Sequence, residues 1–102
     1  MTDERFNELY LYYASIGRTF DACSIWSIYE IPYLLKRAYC GRFNLNYSLH
    51  DVKSEPLPED PTWYDIWRAA DKMIRESGDM HHIFIESVRF VAPGELEFQT
   101  GS

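Results

Sequence analysis

Cysteine, glycine and long apolar runs are all scarce in this 102-residue chain, and each shortage closes off a class of protein. Two cysteines, Cys23 and Cys40, are fewer than the roughly four to eight of a disulfide-framed secreted domain. The glycines stand singly at 17, 41, 78, 94 and 101, so no glycine-rich phosphate loop is present. The longest apolar run, Leu9 to Ala14, falls far short of the roughly 20 residues a membrane-spanning helix needs. Basic residues are outnumbered 10 to 16, and a net charge of −6 disfavours direct binding to nucleic acid or to an anionic membrane. No basic segment precedes an apolar one at the N-terminus, so no secretory signal is expected. A cytoplasmic location with reduced, buried thiols follows as the expectation.

Aromatic residues are in surplus: eight Tyr, six Phe and three Trp. With 46% hydrophobic positions, the chain has the material for a core and the length of a single compact domain spanning 1–102. A domain this small cannot bury every ring, and tyrosine combines an apolar body with a polar tip suited to interfaces.

Phe6, Leu9, Tyr10, Tyr13, Ile16 and Phe20 recur at helical steps, which predicts a helix from Thr2, its N-cap, to about Arg18, stopped by Gly17. Leu11 and Tyr12 leave that stripe, so the helix is apolar on more than one side and a homodimer through it is expected. Ile25, Ile28, Leu35 and Tyr39 continue the helical period over 21–40, with Pro32 breaking the segment in two near Tyr29–Ile31. From Phe43 to Leu49 apolar and polar residues alternate, the pattern of a strand with one buried face.

Residues 51–61 hold three prolines and five charges and predict a loop ending in Asp60-Pro61, an N-cap followed by a first-turn proline. Trp63, Ile66, Trp67, Ala70, Met73 and Ile74 then form one helical stripe that should be buried against the sheet. Asp65, Arg68, Asp71, Lys72, Arg75 and Glu76 take the other side, and Gly78 closes the helix. His82–Val91 is strand-like, with Ile83 and Ile85 on one face and Phe84, Val88 and Phe90 on the other. Ala92-Pro93-Gly94-Glu95 suits a type II turn into a last strand at 95–100. The expected fold is α+β, with three or four helices packed on a small antiparallel sheet of about three strands (43–49, 82–91 and 95–100).

No catalytic constellation emerges. Neighbouring His81 and His82 point to opposite faces of a strand, and His82 with Glu86 lacks the further ligands zinc requires. Cys23, Cys40 and His50 show no paired metal spacing, and nothing marks either thiol as a nucleophile. Neither metal nor cofactor is expected.

Charge placement says more than its sum. Residues 1–50 are neutral, and 51–102 carry the whole −6. Asp51, Glu55, Glu59 and Asp65, with Tyr64 beside them and Tyr12 on the first helix, are the expected contacts for a protein partner with a basic surface. That pattern suits a small acidic protein that acts by occupying a partner, as virus-encoded inhibitors of bacterial defence do, some with DNA-mimic character. The alternative is a small-ligand-binding or enzymatic domain with a pocket between helices and sheet.

Overall fold

The computed structural model describes residues 3–27 and 33–101. Two helices and five strands are formed among them: α1 (Asp3–Arg18), β1 (Ile25–Trp26), β2 (Asn44–Tyr47), β3 (Glu55–Pro56), α2 (Trp63–Ser77), β4 (Phe84–Ala92) and β5 (Glu95–Gly101). The sheet runs β1-β4-β5-β2-β3 and curls into a half-barrel. It is mixed: β4–β5 and β2–β3 are antiparallel, whereas β1 runs parallel to β4 and β2 parallel to β5. The expectation of three or four helices on a three-stranded antiparallel sheet is therefore overturned.

The helices expected over 21–40 are absent from the described residues 21–27 and 33–40, and hydrogen bonds to distant segments explain the loss there. Ile25 and Ser27 donate their backbone N–H groups to the carbonyls of Ile83 and Ile85, at 2.8 and 3.0 Å, which draws this stretch into the sheet. Further on, the carbonyls of Leu34 and Lys36 accept from Tyr64 N and Trp63 N, donors at the start of α2 that have no partner within the helix. A segment spent on closing another helix's end cannot close its own ladder. The expected N-cap Thr2, the helix position Ile28 and the break at Tyr29–Pro32 lie outside the described residues.

α2 forms as its stripe dictates, with Ile66, Trp67, Ala70, Met73 and Ile74 buried and Trp63 half-buried. Its cap is two residues later than expected, at Thr62 rather than Asp60. Thr62 Oγ1 accepts from Asp65 N and Asp65 Oδ2 accepts from Thr62 N, a capping box. Asp60 instead sits at φ 52° and accepts from Gly41 N. Gly78, at φ 77°, ends the helix as predicted.

The β4–β5 hairpin also forms, with Gly94 at φ 75° in its turn. Two register shifts in β4, at Ile85/Ser87 and Phe90/Ala92, alter its alternation. Ile85 and Val88 consequently pair with Thr100 and Phe98 and share the inner face, so the expected split between them is corrected; Phe90, opposite Leu96, lies towards the same side but is 55% exposed. The outer face carries side-chain pairs such as Arg89–Glu97 and Asn46–Glu95, both at 2.8 Å.

Gly17 is the second correction of consequence. It lies buried within the last turn of α1, and a Cβ there would stand 3.0 Å from Cη2 of Trp67. It lets the helix approach the indole and does not terminate it. Gly17→Ala should gain helix propensity of up to about 1 kcal/mol yet lose more to overpacking, typically about 1–3 kcal/mol. A net loss near 1 kcal/mol in urea denaturation is the expected result.

Candidate functional site

One face of α1 carries Tyr10, Tyr13, Ala14 and Gly17, spaced i, i+3, i+4 and i+7, so two rings are followed by two residues too small to fill the space beside them. That face meets the chain running from Asp21 into β1. Between them lies a cleft of about 200 Å³, lined further by Arg18, Asp21, Ala22, Ser24, Ile25 and Trp26 and backed by Trp67.

A carboxylate from α2 holds the far wall in place. Asp71, expected on the solvent side of its helix, is only 3% exposed. Its Oδ1 accepts from the backbone N–H groups of Cys23 and Ser24 at 2.9 and 2.7 Å, and from the Ser24 hydroxyl. Ser24 Oγ in turn accepts from Trp67 Nε1 at 3.0 Å. Arg75 donates Nε to Asp71 Oδ2 at 2.9 Å and an outer nitrogen to the Asp21 carbonyl. Burial alone would raise the Asp71 carboxyl, but hydrogen bonds from the Ser24 hydroxyl, Arg75, the Ser24 backbone and the Cys23 thiol outweigh it and hold it below its ordinary value. Cys23 shifts the other way. Burial and the adjacent Asp71 push its thiol up, which keeps it protonated rather than nucleophilic. Neither thiol is in a helix, and Cys40, expected to be buried, is exposed.

Two polar atoms in the cleft-lining residues are unpartnered. Tyr13 is 3% exposed and Trp26 2%, and neither the Tyr13 hydroxyl nor Trp26 Nε1 has a hydrogen-bond partner among the described residues. Burial, with a smaller contribution from Tyr12, pushes the Tyr13 phenol up to about 12, so it stays protonated at neutral pH. An unsatisfied buried donor costs about 1–3 kcal/mol. Tyr13→Phe should therefore raise the stability of the free protein by about 1 kcal/mol, read as a higher urea midpoint with unchanged slope.

The residues expected to meet a basic partner are dispersed, and several are engaged internally. Asp51 is exposed, in the loop after β2. Glu55 accepts from Lys72 Nζ at 3.0 Å, Glu59 faces Arg42 at 3.5 Å, and Asp65 serves the capping box. Glu55 and Asp65 also line a groove beside α2 that holds Arg68, Lys72 and Arg75, so both signs meet there. Tyr64 is half-buried; its hydroxyl lies 3.0 Å from Thr19 Oγ1 and its ring edge packs on Phe20. Tyr12, on α1, is half-buried against the Tyr13 ring. Leu11, which together with Tyr12 suggested a second copy, is 65% exposed.

His50 joins the His81–His82 segment in a cluster that the sequence does not announce, because it lies 29 residues from Asp79. His50 Nε2 and His82 Nδ1 each approach Asp79 Oδ2 at 2.7 Å, and His81 N donates to Oδ1 at 3.0 Å. The His50 bond leads the causes that hold Asp79 well below the usual carboxylate range. The cluster ties the loop after β2 to the α2–β4 connection. Among the described residues no group of three His, Cys, Asp or Glu is arranged to hold a metal ion.

No family model, curated protein or solved structure matches the chain. No helix among the described residues is long and apolar enough to cross a membrane.

Proposed function

We propose that the chain is a non-catalytic binding protein that takes a small ligand into the cleft between α1 and β1. The supporting observation is the cleft itself, about 200 Å³ between the aromatic rings of α1 and β1, two of whose lining residues, Tyr13 and Trp26, also hold a buried polar atom without a partner. Buried polar atoms are nearly always paired, and two exceptions among the residues of one cleft single out that part of the fold. A thermal-shift screen of small molecules tests this against wild type and Ala14→Phe, which fills the cleft from α1. A saturable rise in melting temperature that Ala14→Phe abolishes, while keeping a cooperative melt, is expected. If no compound produces a saturable rise, the cleft is only a packing defect.

A protein partner with a basic surface is a second reading, favoured by one observation. The Glu59–Arg42 pair joins side chains 62% and 77% exposed, so it is worth at most about 1 kcal/mol and leaves Glu59 free to exchange partners. With exposed Asp51, it is the part of the expected acidic contact set, Asp51, Glu55, Glu59 and Asp65, still open to contact. Asp51→Asn with Glu59→Gln should then weaken capture of a specific bacterial partner at low salt, with the difference shrinking as salt rises. Absence of any specific partner at either salt removes this reading.

A further inference from the structure

The outer face of α1 fits a second copy of itself. Glu4, Asn7, Glu8, Leu11, Ser15 and Arg18 follow one another at three- and four-residue steps, so they form one stripe along the helix, and all six are exposed. Leu11, at 65%, is the most exposed large hydrophobic side chain among the described residues, and Tyr10 beside it is 55% exposed. We propose that two copies of the chain associate through this stripe, antiparallel, about a two-fold axis at Leu11. The surface is separate from the ligand reading and does not depend on it.

The symmetry of the stripe selects the partner. A two-fold interface brings residue i of one copy to residue j of the other, and j back to i. With Leu11 on the axis, residues equally far on either side of it face each other. Leu11 then meets the partner's Leu11, Asn7 meets the partner's Ser15, and Glu4 meets the partner's Arg18. Apolar faces apolar, amide faces hydroxyl and carboxylate faces guanidinium, with both polar pairs occurring twice. Glu4, Leu11 and Arg18 stand seven residues apart, a repeat that drifts by only about 20° per step around a straight helix.

Charge favours the same arrangement. Glu4 and Arg18 form no ion pair among the described residues, whereas Glu8, the other charge on the stripe, is held by Arg5 at 3.6 Å. A parallel pairing would set Glu4 on Glu4 and Arg18 on Arg18. The antiparallel one also lays the positive end of each helix dipole beside the negative end of the other. One helix face supplies only part of the roughly 800 Å² per partner of a standard interface. The dimer should therefore be weak, half formed at about 100 µM.

Sedimentation equilibrium from about 10 µM to about 1 mM tests this with the whole chain. Leu11→Asp, at an exposed position, should keep the wild-type melt and stay monomeric throughout. Glu4→Arg and Arg18→Glu each set like charges against each other at both ends, and each should weaken association about tenfold. Mixed in equal amounts they should recover wild-type association as a heterodimer, because one variant then presents two bases and the other two acids at the facing positions. Recovery also shows that both variants are folded. A wild-type protein that stays monomeric over the whole range overturns the proposal, and so does association that survives Leu11→Asp. A dimer lost in Leu11→Asp but not rescued in the mixture overturns the antiparallel register.

Discussion

Replacing Trp67 by alanine should cost roughly 3–5 kcal/mol of folding stability, the usual range for deleting a buried tryptophan. The ring is 3% exposed, packs edge-on against Phe20 at 5.2 Å and touches the helix face left open by Gly17. Its indole N–H also donates to Ser24 Oγ, so the variant removes a buried hydrogen bond along with the packing. It is buried in one core cluster with sheet residues such as Leu45 and Phe98, and it also joins α1 to α2 and backs the cleft. The loss should therefore be uneven, with amide protection in α1 falling before protection in β4 and β5. Trp67→Phe, which keeps a ring but no donor, should lose less than half as much. A cooperative melt for Trp67→Ala at the wild-type midpoint would show that α1 is held by other contacts.

The elements legible in the sequence are those specified by neighbours in the chain. The stripe from Trp63 to Ile74 with glycine at 78, and the Pro93-Gly94 turn between alternating strands, act over a few residues and appear in the structure. What failed depends on partners far along the chain. Parallel pairing of Leu45 with Leu96 has no local turn to announce it. The helical spacing of Ile25, Leu35 and Tyr39 lost to Asp71, 47 and 48 residues from Ser24 and Cys23, and to sheet carbonyls as remote. A helical period is a weak instruction where a buried carboxylate competes for the same backbone donors.

The candidate site was half legible for the same reason. Tyr10, Tyr13, Ala14 and Gly17 share one helical face by spacing alone, and the small pair among rings could have been read as a gap. Gly17 was instead assigned to termination, since glycine near a helix end has that meaning more often. Trp26 could not be foreseen opposite them, because it depends on where β1 joins the sheet. The acidic surplus of residues 51–102 misled in another way. Charge was counted along the chain, while Lys72 and Arg42, each 17 residues from its acid, meet Glu55 and Glu59 in space. Density of charge in sequence overstates the field a folded surface presents.

Asp71 gives the second large effect. Asp71→Ala should cost roughly 3 kcal/mol, because it strands the Cys23 and Ser24 N–H groups and the Ser24 hydroxyl away from water. Asp71→Asn should cost less, near 1–2 kcal/mol. An amide oxygen can still accept at Oδ1, and what fails is the other side, where an NH₂ group would face the Arg75 Nε donor. The two variants also separate in acid. The Asp71 carboxyl lies below its ordinary value in the folded chain, so its contribution is fully present above about pH 4–5 and lost as pH falls through the folded value. Asp79 is lowered too and adds to the same acid limb. In Asp71→Asn the limb should be shallower but still present, because the Asp79 contribution survives, and adding Asp79→Asn should flatten it further. Denaturant midpoints measured between about pH 2 and pH 6 decide the matter. An acid limb unchanged in Asp71→Asn would mean that other carboxylates control acid unfolding. The chain from 21 to 24 would then be held against α2 by packing rather than by the buried charge.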